Sequence, residues 1–170
     1  MKFLVLGLPR SRTGWLSVFL STDSTLCFHE GIEGCSSMEE YKSKTSEKAD
    51  SNTGLMLFDI RRHFPDTKII IIDGTVEDSV KYGLDTYGLD VTSSMIEGKK
   101  RLDALDGLHI KFEDINERLQ DMWEYVYDTP YDKTRSDELV KLDIQMRDVH
   151  SMDIDSMNAL ITSEMNEVTS

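Results

Sequence analysis

Residues 3–20 read FLVLGLPRSRTGWLSVFL, and this stretch decides the fold class. Phe3, Leu4, Val5 and Leu6 make a short apolar run closed by Gly7 and Pro9, the pattern of a strand buried on both faces. From Thr13 the apolar residues fall at Trp15, Leu16, Phe19 and Leu20, which is one face of an α-helix. Strand, tight polar turn and helix start therefore follow one another. The turn carries Arg10, Ser11, Arg12, Thr13 and Gly14, bringing free backbone N–H groups, two hydroxyls and two guanidinium groups to the positive end of a helix dipole. That chemistry suits an anion, and a phosphate above all.

A regular Walker A loop needs Gly at 12 and Lys at 13, where this chain has Arg12 and Thr13. Arg at 12 is costly if that position needs a positive φ. Working outward, Thr25–Phe28 form a second apolar run that delivers His29 and Glu30 to its C-terminal end, the edge where chemistry sits in open α/β sheets. Glu30 is a candidate base toward an acceptor hydroxyl, and His29 does the same or orients it. Ser36 and Ser37, each followed three residues on by Glu, predict a polar helix to about Lys48. Asp50–Gly54 form a turn-type polar cluster before a helical stretch from Leu55 that breaks at Pro65. Lys68–Ile72 make the clearest buried parallel strand. Thr75 with Asp78 caps a helix toward Gly88, another runs from about Ser93 to Leu105, and Leu108–Phe112 alternate as an outer strand. Asn116 is a good N-cap for a helix from Glu117 to Val126, and a short helix follows over Arg135–Leu142.

The totals bound the function. The 170 residues suffice for one α/β domain over about 1–150, and the acidic remainder, 151–170, reads as a tail that is helical or mobile. No apolar run approaches the ~20 residues of a membrane helix, so the expectation is a soluble, unprocessed chain with no membrane partner. Cys27 and Cys35 fit reduced thiols in a cytoplasmic compartment, and no Cys/His spacing suggests a metal. The net charge of −13 argues against general nucleic-acid binding and confines any phosphate to a local basic pocket.

PRSRTGWL, residues 9–16, resembles the phosphosulfate-binding loop of sulfotransferases, whose bacterial forms read approximately PRSGTTWL; Arg12 and Gly14 are the departures. FHEG, DSNTGLMLF, RHFPDTKIIII, HIKFEDI, MWEYV and TPYDKTRSDELVKLDIQMRD extend the resemblance over about residues 3–148, nearest to short family members encoded by bacteriophages. It implies a three-layer P-loop sandwich with a small, mostly parallel central sheet. The implied cofactor is 3′-phosphoadenosine-5′-phosphosulfate (PAPS), with no metal. By position Pro9, Arg10, Ser11, Arg12, Thr13, Gly14 and Trp15 surround the 5′-phosphosulfate, Glu30 and His29 face the acceptor, and Ser51 and Asn52 line the same cleft. The family holds the 3′-phosphate with an arginine after the strand like Ile69–Ile72 and a serine some eight residues on. Here Asp73 takes the arginine position, with Ser79 or Lys81 near that of the serine. A carboxylate there repels a phosphate by about 1 kcal/mol in water and several in a dry cleft. Lys81, Arg61 and Arg62 are the compensating cations on offer.

Three functions follow as expectations. The first is sulfuryl transfer to a hydroxyl, with Arg10 neutralising charge on the transferred group or leaving oxygen and Glu30 as base. The second is a degenerate member that binds a nucleotide or a host bacterial protein in the host cytoplasm without catalysis. The third is phosphoryl transfer, weakened by the missing loop lysine. The acceptor and the oligomeric state have no signature in the sequence.

Overall fold

The structure is a computed structural model that describes residues 1–141; the expected acidic tail and the end of the expected domain lie outside the described residues. The apolar run predicted at the N-terminus is strand β1, Phe3–Gly7, and every residue of it is buried. It lies at the centre of a five-stranded sheet with β2 (Cys27–His29), β3 (Ala49–Asn52), β4 (Lys68–Asp73) and β5 (Leu108–Lys111), in the order β2-β3-β1-β4-β5. All four pairings are parallel.

Among the described residues seven α-helices connect and cover the strands: α1 (Thr13–Phe19), α2 (Met38–Lys44), α3 (Ile60–His63), α4 (Val76–Tyr87), α5 (Thr92–Ala104), α6 (Leu119–Val126) and α7 (Lys133–Val140). Alternation along the strands sends Phe3, Val5, Ile70 and Ile72 to one face, against Leu16 and Phe19 of α1 and Met122 and Trp123 of α6. Leu4, Leu6, Ile69 and Ile71 face the other way, against Tyr41 of α2 and Met95 and Leu102 of α5. The architecture is thus an α/β fold with helices on both faces of an all-parallel sheet, consistent with three layers. Arg135 of α7 donates to the carbonyls of Val18, Phe19 and Ser21 at and just beyond the end of α1, tying the two helices together.

Two local expectations are corrected. The polar cluster at 50–54 is no turn before a helix: Ala49–Asn52 is an interior strand, with Asp50, Ser51 and Asn52 fully buried. Its polar side chains are satisfied inside the protein, which composition alone does not reveal. The helix expected from Asn116 begins at Leu119, and the Asn116 side chain accepts from Arg12 across the sheet edge instead of capping. Ser37 and Thr75 do cap their helices, accepting from the N–H groups of Glu40 and Asp78.

Candidate site at the edge of the central strands

The chain leaves β1 toward β2 and leaves β4 toward β5, so the neighbouring C-terminal ends of β1 and β4 send their connections in opposite directions. A parallel sheet opens a crevice at such a point. The segment Leu8–Arg12 borders it on one side and Gly74 on the other.

Arg10 and Arg12 both adopt left-handed backbone, with φ of 75° and 58°. Each costs about 1 kcal/mol or more relative to ordinary conformations. Neighbouring elements hold the loop in that shape. Ser79 of α4 donates to the Pro9 carbonyl at 2.8 Å, and Ser51 of β3 donates to the Thr13 carbonyl at 2.8 Å. Arg12 donates to Asn116 Oδ1 at 2.8 Å while its guanidinium carbon lies 4.6 Å from the centre of the Trp15 ring. Arg10 is exposed, its guanidinium carbon 5.6 Å from the centre of the Tyr82 ring.

Ser11 occupies the crevice itself. Its side chain is 1% exposed, and its hydroxyl has no hydrogen-bond partner among the described residues. A Cβ on Gly7 would stand 2.7 Å from Ser11 Cβ, and one on Gly74 2.8 Å from Ser11 Oγ, so glycine at both positions makes the room. The first main-chain hydrogen bond of α1 runs from Leu16 to Arg12, leaving the N–H groups of Thr13, Gly14 and Trp15 without partners inside the helix. A buried orphan hydroxyl, an exposed guanidinium and open N–H groups on one strained loop fit a tetrahedral oxyanion.

The remaining expected residues separate into two groups. Thr13 and Trp15 are buried behind the loop, with Trp15 Nε1 donating to the Leu139 carbonyl at 3.1 Å. Ser51 and Asn52 are fully buried and offer no surface to a substrate here; Asn52 donates to Asp50 at 3.0 Å and accepts from the Leu55 N–H at 2.9 Å. Ser79 spends its proton on the loop, and Lys81 is exposed and paired with Asp85 on its own helix. Arg61 cannot compensate for Asp73, because it is tied to Asp106 and to the carbonyls of Phe64, Pro65 and Thr67 at the opposite edge of β4. Asp73 itself meets Lys99 of α5 at 3.6 Å and His109 of β5 at 3.5 Å. Those partners draw its carboxylate onto the α5 face and offset its charge.

Glu30 follows β2 with a φ of 51°, and its N–H donates to the Ser51 carbonyl at 3.0 Å. Its carboxylate is enclosed, accepting from the N–H and hydroxyl of Thr53, both at 2.8 Å, and from the Gly54 N–H at 3.3 Å. Burial raises its pKa from 4.5 to about 7, against the lowering by Thr53 and with a further push from Asp50. A carboxyl titrating there suits a general base, although the donors of Thr53 and Gly54 also make it a clamp between the ends of β2 and β3. Asp50, whose polar neighbours in sequence suggest only a turn, accepts from Tyr41 at 2.7 Å, Gly31 at 2.9 Å and Asn52, and burial raises its pKa. His29 is half-buried, with Nδ1 3.3 Å from the Ser51 carbonyl, and burial lowers its pKa.

Among the described residues no group of three or more His, Cys, Asp or Glu is placed to hold a metal ion, and no helix is long and apolar enough to cross a membrane. Comparison with models of protein families, with curated proteins and with solved structures finds no match to this chain.

Proposed function

We propose that the loop Pro9–Gly14 binds the phosphosulfate or phosphate end of a PAPS-type nucleotide, and that the chain transfers the sulfuryl group to a hydroxyl. The observation that carries this reading is the buried, unpartnered Ser11 hydroxyl held between Gly7 and Gly74 in a loop with left-handed arginines on both sides. Strain of this kind persists where surrounding structure over-determines it, and it concentrates at ligand sites. Arg10 meets the charge of the group, the N–H groups of Thr13 and Gly14 add donors, and the ion pair of Asp73 with Lys99 lessens its repulsion of a second phosphate. In the transfer step the acceptor O–H loses its proton to Glu30 as its oxygen bonds to sulfur and the bond from sulfur to the bridging phosphate oxygen breaks.

A second reading, nucleotide or protein binding without transfer, is favoured by the enclosure of Glu30, which is 8% exposed with both oxygens engaged. Calorimetric titration with PAPS, adenosine 3′,5′-bisphosphate, ATP and AMP, with and without magnesium, tests the reading. Selective binding of the two 3′-phosphorylated ligands, lost in Arg10→Ala, is expected; silence from all four would overturn it. With a sulfuryl acceptor assay in hand, unchanged turnover in Glu30→Gln would remove the base.

A further inference from the structure

Tyr82 and Tyr87 stand together on α4 beside the loop. Their ring centroids are 5.8 Å apart with planes at 87°, and their hydroxyl oxygens lie 3.4 Å apart. Tyr82 comes three residues after Ser79, the residue that fastens Pro9, so one helix both holds the loop and presents the aromatic pair. The end of that helix is anchored. A Cβ on Gly83 would fall 2.6 Å from Val91, so α4 lies close against the start of α5, and Gly88 closes the helix in left-handed backbone. Tyr87 is nonetheless 46% exposed and Leu84 57% exposed, so neither is explained by the core. The Tyr87 phenol is pushed up to about 12 by its hydrogen bond with Tyr82, by burial, and by the fields of Tyr82, Glu33 and Glu30.

We propose that Tyr82 and Tyr87 form a step that receives a planar aromatic or heteroaromatic ring, belonging to a ligand whose tetrahedral anion is held at Arg10 and the loop. The proposal rests on the loop being an anion site. The Arg10 guanidinium lies over the Tyr82 ring, 5.6 Å from its centre. A charge-assisted hydrogen bond to an anion outweighs an exposed cation–π contact, so the arriving anion draws Arg10 off and bares the face of Tyr82. An edge-to-face tyrosine pair then offers the ring one face and one edge, the geometries aromatic groups prefer. A nucleotide base and an aryl acceptor share this chemistry.

The test titrates the intact protein with two matched pairs, AMP against ribose 5-phosphate and phenyl phosphate against inorganic phosphate, following amide chemical shifts that register millimolar binding. In the wild type the ring-bearing member of one pair binds about ten- to a hundredfold more tightly, and the pair that does so identifies base or aryl group. Tyr82→Ala and Tyr87→Ala erase that ratio while the ringless anion binds at least as tightly as before, and Tyr82→Phe with Tyr87→Phe preserves it. A ratio unchanged in the alanine variants, or absent from the wild type, overturns the step and leaves the loop reading standing. Failure of all four ligands in the wild type overturns the step, while the loop reading stands or falls on the titration with the 3′-phosphorylated nucleotides.

Discussion

Replacing Glu30 by Gln changes how stability depends on pH, and the structure supplies sign and size. Burial holds the Glu30 carboxyl at about 7 in the folded protein against 4.5 as its ordinary value. Between those values the folded chain carries a proton that the unfolded chain has released, so this group stabilises most below pH 4.5, and that stability is lost as pH rises toward 7. At about 1.4 kcal/mol per pH unit over the interval, the loss is about 3 kcal/mol. Asp50, also raised by burial, acts in the same direction. His29 is lowered by burial and acts oppositely, losing stability as pH falls below 6.5. Both remain in Glu30→Gln, so the difference between the two proteins reports Glu30 together with its mutual repulsion with Asp50. Urea unfolding at pH 5, 6, 7 and 8 is the assay. The stability of Glu30→Gln relative to wild type should rise by about 2–3 kcal/mol from pH 5 to pH 8. A relative stability that stays flat or falls would refute the burial of this carboxylate.

Two further substitutions probe the supports of the site. Arg12→Gly relieves left-handed strain of about 1 kcal/mol while losing the Asn116 hydrogen bond and the Trp15 contact, whereas Arg12→Ala keeps the strain and loses the contacts. Gly should therefore be the more stable of the two by about 1 kcal/mol in chemical denaturation, and equal stabilities would show that the φ at 12 is not strained. Tyr41→Phe removes the 2.7 Å hydrogen bond to Asp50 in a fully buried setting. It should cost about 1–3 kcal/mol in urea unfolding, and a neutral outcome would mean that Asp50 is satisfied without Tyr41.

Apolar runs and capping residues made most of the fold legible. Phe3–Leu6 and Ile69–Ile72 are buried on both faces, so unbroken apolar runs are a direct reading of their place at the sheet centre. β3 escaped because ADSN is polar, and its burial depends on Tyr41, Gly31 and Thr13 arriving from three separate segments. The same nonlocality limits the site. Loop residues 9–14 were legible as a strand-turn-helix junction, but nothing in their order reveals that Ser11 is enclosed by Gly74, or that Arg12 is pinned by Asn116. Asp73 was read from its position alone as a charge facing the ligand. Lys99 and His109, distant in sequence, determine where that charge goes.

The loop at the crevice is the proposed seat of the oxyanion. The most direct measurement is an amide-resolved titration of the wild-type protein with adenosine 3′,5′-bisphosphate, repeated on Ser11→Ala. Saturating shifts centred on Arg10 to Gly14 and on Gly74 are expected, with weaker binding once the Ser11 hydroxyl is gone. Shifts confined to other surfaces, or no shift at millimolar ligand, would contradict it.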